Sequence, residues 1–272
     1  MYAIFSDVDG TIYRYGPNTL ETRTIEDIKL AQSRGVEFIL ITGNAHLSAI
    51  LFLANKLDVR YIITSSGATI YDRSCNKIIR NLTLDPQIII QAVKYARQFS
   101  AYILTWDING NIYCEDDEKQ SIATVIRQTI ALNEPIKPLP AVDGKTLNFI
   151  NFNKIIIFGL PIAIDNLFRE FKQLGFNVLK LRDDALEIVP KNISKGEAVE
   201  FMTNYLKTTL EKVMTIGDGP IDESMLSLPV ASYVLANAPE KTKKIAKYHT
   251  SSVEQNGLGM AIIDFLYRNK LE

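Results

Sequence analysis

Tyr2-Ala3-Ile4-Phe5-Ser6-Asp7-Val8-Asp9-Gly10-Thr11 is an apolar run that ends abruptly in two carboxylates and a glycine. A short run of this kind predicts a buried strand, and the Asp-rich end predicts a turn at its carboxyl terminus. Ligands of open α/β sheets bind outside the carboxyl ends of the strands, which is where Asp7 and Asp9 fall. Two neighbouring carboxylates repel, so the pair calls for a cation or a shared proton. A hard cation such as Mg²⁺ suits carboxylates and phosphate oxygens together. Gly10 lets the chain turn sharply and leaves backbone N–H groups free to cradle an anion.

Outward from this stretch, helices and apolar strands alternate. Thr19 to Arg34 reads as a helix with Ile25, Ile28 and Ala31 on one face and Gly35 as its stop. Val36 to Ile41 reads as a second strand, Ala45 to Leu57 as a helix, and Arg60 to Thr64 as a third strand followed by Ser65-Ser66-Gly67. The carboxyl-terminal part of the chain continues the alternation. Helices are expected there at Ser194–Leu206, Asp222–Leu228, Pro239–Lys247 and Leu258–Tyr267, and strands at Val213–Ile216 and Tyr233–Ala236. Strands that are apolar throughout predict a parallel sheet covered on both faces. The middle differs. Asp85–Phe99 reads as a helix, Tyr102–Trp106 and Ile112–Cys114 as a hairpin, and Lys154–Phe158 and Ala185–Val189 as strands of a smaller sheet. Pro135, Pro138 and Pro140 mark a loop. The fold class expected is α/β: a Rossmann-like core of residues 1–81 and 190–272, interrupted by an α+β domain of residues 82–189.

Three further strand or helix ends carry chemistry. Thr42, in Thr42-Gly43-Asn44, offers a hydroxyl to a phosphoryl oxygen. Lys195 opens a helix and can neutralise charge at a reacting centre. Asp218, in Gly217-Asp218-Gly219-Pro220-Ile221-Asp222, adds a third carboxylate and completes a site for Mg²⁺.

Composition is compatible with this and excludes other classes. The 272 residues are 47% hydrophobic and 22% charged, the balance of a folded globular protein. With 30 basic and 31 acidic side chains, the net charge of −1 gives no global attraction for nucleic acid or an anionic membrane. Cys75 and Cys114 form no CxxC pair and read as reduced thiols of a cytoplasmic protein. Asp7 arrives too early for a signal peptide. The uncharged stretch Phe38–Asn55 carries Thr42, Gly43, Asn44, His46 and Ser48, and so reads as strand, turn and helix, not as a membrane span.

Taken together, Asp7-Val8-Asp9-Gly10-Thr11, Thr42-Gly43-Asn44, Lys195-Gly196 and Gly217-Asp218-Gly219-Pro220-Ile221-Asp222 resemble the motifs DxDGT, [ST]GN or TGR, KG and GDxxND of haloacid dehalogenase superfamily phosphatases, in the Cof-type branch with a large α/β cap. Ser66-Gly67-Ala68-Thr69, Ala236-Asn237-Ala238 and Asn256-Gly257-Leu258-Gly259 are further echoes. The resemblance spans both core segments in order. It implies Asp7 as nucleophile forming an aspartyl phosphate, and Asp9 as general acid and then base. It implies Mg²⁺ held by Asp7, the Asp9 carbonyl and Asp218, with Asp222 as an outer residue of the metal site. Thr42 and Lys195 would hold the phosphoryl group, and Gly10, Gly43, Asn44 and Asn237 complete the expected substrate-binding set.

Three departures stand out: Ile221 where the family has Asn, Asn44 where Arg is common, and Ser66 where Asn is usual. Ile221 can neither coordinate nor hydrogen-bond, so that contact is either lost or supplied elsewhere, with Asn237 the candidate. The expected substrates are small phosphorylated metabolites, sugar phosphates or phosphoglycolate, handled by a monomer or weak homodimer. A phosphomutase or phosphotransferase using the same aspartyl phosphate, and a non-catalytic phosphate-ligand binder, are the alternative uses. Of the other polar groups, His46 reads as a surface or cap residue, His249 as having no role, and Glu115 to Glu118 as a solvated turn. Trp106 and Tyr113 read as core or sheet surface of the inserted domain, and Arg182, Asp183 and Asp184 as a hairpin turn open to substrate contact.

Overall fold

The computed structural model describes residues 1–14, 19–44, 48–114, 136–139 and 150–271. His46, Glu115 to Glu118, Pro135 and Pro140 lie outside the described residues. The chain divides into two compact units, one of Met1–Asn44, Ala49–Ile79 and Ser194–Glu272, the other centred on Arg80–Ile193.

The first unit is built on an eight-stranded sheet in the order Tyr248–Thr250, Ala231–Leu235, Val213–Gly217, Tyr2–Ser6, Val36–Ile41, Tyr61–Thr64, Thr69–Asp72, Lys77–Asn81. The first six strands pair in parallel, and Thr69–Asp72 turns back antiparallel on Tyr61–Thr64. Alternate side chains of the central strands enter two different cores. Ile4, Phe38, Leu40, Met214 and Ile216 pack with Ile28, Leu53, Ile262 and Phe265 of the helices on one face. Ala3, Phe5, Ile39, Ile41 and Val213 pack with Ala198, Val199 and Met202 on the other. That two-sided burial is why these strands are apolar at nearly every position.

Helix Thr22–Ser33 buries Thr24, Ile28 and Ala31, and Gly35, with φ of 76°, ends it as expected. Ser194 caps Lys195–Tyr205 by accepting from the Glu197 N–H at 3.1 Å. Two helices are shorter than the sequence suggests. Glu223–Leu226 begins only after a 3₁₀ turn at Pro220–Asp222, and Glu240–Lys243 stops well before Lys247.

The second unit has a six-stranded sheet in the order Asn177–Arg182, Ala185–Val189, Phe152–Phe158, Tyr102–Asp107, Ile112–Cys114, Ile136–Pro138. Its described pairings are antiparallel except the last, which is parallel. Helices Pro86–Gln98 and Pro161–Gln173 pack on one face through Ile89, Val93, Ile164, Leu167 and Phe171. Trp106 is buried with Leu104, Ile112 and Ile156, and half-buried Tyr113 packs edge-on to Phe152. Arg182 pairs with Asp184 at 2.9 Å, and Asp183 with Lys180 at 3.2 Å, on exposed backbone between two strands. Among the described residues, no helix is long and apolar enough to cross a membrane.

Candidate active site

Asp7 continues the strand Tyr2–Ser6 by one residue, and its N–H donates to the Ile216 carbonyl at 3.0 Å. The chain then coils over Val8: the Ile12 N–H donates to the Val8 carbonyl at 2.9 Å, and the Gly10 N–H to the Tyr13 carbonyl at 2.8 Å. Gly10 takes φ of 84°, and a Cβ built there would lie 2.3 Å from Asp218 Oδ2. Only glycine allows both the turn and this approach of backbone to carboxylate. Gly10→Ala is therefore expected to lower the melting temperature by several degrees (about 2–4 °C per kcal/mol) and to displace Asp218. Thermal melts with and without Mg²⁺ read both effects. A variant as stable and as Mg²⁺-responsive as wild type would show that the turn is not constrained.

Lys195 joins two of the carboxylates. Its Nζ donates to Asp7 Oδ1 at 2.5 Å and to Asp222 Oδ1 at 2.6 Å, and it is only 2% exposed. Asp222 Oδ2 accepts from the Asp218 and Gly219 N–H groups at 2.9 and 2.8 Å. Both oxygens of Asp222 are thus occupied: one aims Lys195, the other folds the Gly217–Gly219 turn. Gly217 makes room, since a Cβ there would lie 2.5 Å from Asp222 Cγ.

Asp218 has its own supports. Thr11 Oγ1 donates to its Oδ1 at 3.2 Å, and Asn237 Nδ2 to its Oδ2 at 3.0 Å. The same amide donates to the Gly10 carbonyl at 3.0 Å, and Asn237 Oδ1 accepts from the Val253 N–H at 3.0 Å. With these three bonds the Asn237 amide is spent on the protein. Thr11, the last residue of the first motif and without a role in the sequence reading, is a second holder of Asp218.

Asp9 is exposed and meets Asn44, whose Nδ2 donates to Asp9 Oδ2 at 2.5 Å. Thr42 is buried, and its Oγ1 accepts from the Asn44 N–H at 3.0 Å while its own O–H remains a donor. Gly43 is half-buried between them. The Thr42 N–H donates to the Ile63 carbonyl at 2.9 Å, tying the turn to the neighbouring strand.

The electrostatics are those of a crowded anionic cluster. Burial, then Asp222, holds the Asp7 carboxyl well above the usual carboxylate range, against the pull of Lys195. Burial and Asp222 push Asp218 up to about 6. Burial works to lower the Lys195 value, but Asp222 and Asp7 outweigh it and the ammonium is held firmly charged. Burial and the nearby Asp9 and Asp7 push the Tyr13 phenol up. Oxygens of Asp7, Asp218 and Asp222 all lie within 4.8 Å of one another. Three carboxylates against one ammonium leave two negative charges when all are ionised, and a divalent oxygen-seeking cation matches that deficit. The donor set therefore fits Mg²⁺.

A model of the haloacid dehalogenase-like hydrolase family matches residues 4–262. The chain belongs to this family. Over 278 residues it is 25% identical to the chloroplastic endoribonuclease YBEY of Arabidopsis thaliana; 97% of this chain is covered, but only 46% of that protein. The chain thus spans about half the length of that relative. Phosphatase YwpJ of Bacillus subtilis is 21% identical over 281 residues, which cover 95% of this chain and 97% of that protein. A solved sugar phosphatase of haloacid dehalogenase subclass IIB has the same fold, with a TM-score of 0.83 at 17% identity over 97% of this chain and 99% of that one. This haloacid dehalogenase-like hydrolase thus carries its family's architecture of a Rossmann-like core with an inserted α+β domain.

Proposed function

We propose that the chain is a Mg²⁺-dependent phosphatase of small phosphorylated metabolites, sugar phosphates or phosphoglycolate, working through an aspartyl phosphate on Asp7. The observation that carries the proposal is the Lys195 bridge between Asp7 and Asp222 beside Asp218, a cluster two charges short of neutral. The phosphatase relative that aligns over nearly the whole chain supports the same reading.

In this reading Asp7 attacks phosphorus in line, and the P–O bond to the leaving group breaks as the bond to the Asp7 carboxylate forms. Asp9, as the acid, gives its proton to the leaving oxygen. It then takes a proton from the water that cleaves the aspartyl phosphate. Lys195 and the Thr42 hydroxyl stabilise the transferred oxygens. Asp222 sets the position of Lys195, and Asn237 and Thr11 set that of Asp218. Mg²⁺ would be held by Asp7, the Asp9 carbonyl and Asp218, and when bound it would screen the phosphate charge from the attacking carboxylate. The inserted domain serves as the cap that selects the leaving group.

The test is phosphate release from a panel of phosphorylated metabolites, with and without Mg²⁺, for wild type and Asp7→Asn. Mg²⁺-dependent release that Asp7→Asn abolishes supports the mechanism, and the order of substrates names the leaving group. An isomerised sugar in place of free phosphate would make the protein a mutase. Chelation is expected to remove activity and added Mg²⁺ to restore it. Because protonated Asp218 cannot coordinate, Mg²⁺ affinity should fall as pH drops through about 6. Titration calorimetry at pH 5 and 8 reads this, and equal affinity at both would remove Asp218 from the ligand set.

A further inference from the structure

Helices Thr22–Ser33 and Gly257–Arg268 pack side by side in the first unit, and a groove of about 590 Å³ runs between them. Both helices start at the same end. The Asn256 side chain, just ahead of the second helix, accepts from Thr24 Oγ1 at 2.9 Å and donates to Asp27 Oδ2 at 2.7 Å. Gly259 lies level with Asp27, since a Cβ built there would collide with Asp27 Oδ2. Both helices rise by the same amount per residue, so Arg34 comes level with Leu266 and Tyr267.

The second helix stands proud of the groove. Met260, Ile263 and Tyr267 recur at helical spacing and are 51%, 44% and 69% exposed, so they form an apolar ridge along one side. Leu30 and buried Leu266 line the groove beside it. Arg23 and Arg34 stand exposed toward its two ends and make no ion pair among the described residues. The carboxylates that line it are already held: Asp27 by Asn256, and Asp264 by the Tyr233 O–H at 2.7 Å and Arg268 Nε at 2.6 Å.

We propose that two copies of this chain meet through this face. A ridge beside a groove is self-complementary: a two-fold rotation can seat the ridge of each copy in the groove of the other. Shape and charge together choose the axis. A two-fold across the helices would set ridge on ridge and bring Arg23 opposite Arg34 twice, like charges with the nearby carboxylates already held. A two-fold parallel to the helices, between ridge and groove, seats each ridge in a groove instead. It brings Arg34 against the partner's Tyr267, a guanidinium on an aromatic ring. It also keeps each arginine more than one helix spacing, roughly 10 Å, from its own copy, beyond the reach of unscreened repulsion at physiological salt. The face is about 18 Å long, the length of a 12-residue helix, and about two helix widths across. That is small for a protein interface, so the dimer is a weak one.

The experiment is sedimentation velocity of the full chain, in reducing buffer so that exposed Cys75 forms no cross-link. Wild type is expected to pass from monomer toward dimer between about 1 and 300 μM, the range of a small interface. Ile263→Asp puts a charge in the middle of the ridge. It should raise the dissociation constant about a hundredfold or more, because every change enters a two-fold interface twice. Tyr267→Ala should raise it about tenfold. Arg34→Glu separates the two axes. Where Arg34 meets the partner's Tyr267, losing the cation weakens the dimer about threefold or more. Where Arg34 meets the partner's Arg23, the same change creates an ion pair and tightens it. Thermal melts of the variants check folding, and Tyr267→Ala, at the most exposed of the three ridge positions, carries the test if Ile263→Asp does not fold. Wild type that stays monomeric at about 300 μM overturns the proposal and leaves the groove to a different partner. A dimer that neither Ile263→Asp nor Tyr267→Ala weakens is formed by another face, and one that Arg34→Glu tightens has the crosswise axis. Either result overturns the arrangement proposed.

Discussion

Asp7→Asn is expected to abolish phosphate release and, in the same protein without Mg²⁺, to raise the melting temperature. The loss of activity follows from the chemistry: an amide oxygen is a far weaker nucleophile than a carboxylate, and removing the nucleophile of a covalent mechanism costs roughly 10⁴–10⁶-fold. The gain in stability follows from the electrostatics. Burial and Asp222 hold the Asp7 carboxyl well above its usual range even though Lys195 touches it. Its value in the folded chain is therefore above that in the unfolded chain. The folded state favours the protonated group: that stability is fully present below the unfolded value, about 3.9, and is lost as pH rises through the folded one. At neutral pH asparagine avoids the cost, so the variant should melt a few degrees higher, and the gap should close as pH falls toward about 4. Calorimetric melts over that range, alongside a phosphate-release assay, measure both halves. A variant that keeps more than about 1% of turnover removes Asp7 as nucleophile. A variant that melts below wild type at neutral pH shows that the Lys195 contact outweighs burial.

That trade between stability and chemistry is partly legible in the chain itself. Asp7, Asp9 and Asp218 each follow an apolar strand, and a strand end is a local pattern that survives without tertiary information. The resemblance puts Asp222 at the metal site. Its occupied oxygens cannot be read from sequence, because they depend on a backbone turn and on Lys195, 27 residues away. The Asn237 amide reaches Asp218 across 19 residues, a contact that likewise needs the fold. The neighbours of Asn44 suggest phosphate and hence a substrate contact; its bond to Asp9, 35 residues distant, needs the fold.

The same limit applies to the sheet. The central parallel strands are legible because burial on both faces makes them almost continuously apolar. The edge strands Lys77–Asn81 and Tyr248–Thr250, and Thr69–Asp72 next to one of them, are not, since each is short and mixes polar with apolar side chains. Asn177–Arg182 likewise carries Lys180 and Arg182 at partly exposed positions, which hides its period. Helix Pro161–Gln173 opens on a proline and buries Ile164, Leu167 and Phe171 at helical spacing. Its signal is thus present in the sequence, although the adjoining apolar strand Phe152–Phe158 blurs where it begins.

Lys195→Met should act in the opposite direction on stability from Asp7→Asn, although the two side chains share one ion pair. Methionine keeps most of the volume of the lysine stem, so packing is little disturbed and the change isolates the charge. In wild type the ammonium is, among the described residues, the cation that contacts both Asp7 and Asp222, and it is 2% exposed. Its removal leaves two buried carboxylates beside Asp218 without that counter-charge. Breaking a buried pair from the side of the scarcer charge costs roughly 3–5 kcal/mol. The penalty should shrink toward acid pH, where the carboxylates take up protons, and should be offset in part by Mg²⁺, which supplies positive charge to the same oxygens. Turnover should fall about 10³-fold, the scale for losing one preorganised donor to a transition-state oxygen. Combining Asp7→Asn with Lys195→Met removes one negative charge along with the positive one, so the double variant should recover part of the stability lost by Lys195→Met alone. Denaturant unfolding of the four proteins without Mg²⁺ completes the cycle. If Lys195→Met is as stable as wild type, or if the two changes simply add, the cluster does not carry the excess negative charge on which the Mg²⁺ site is argued.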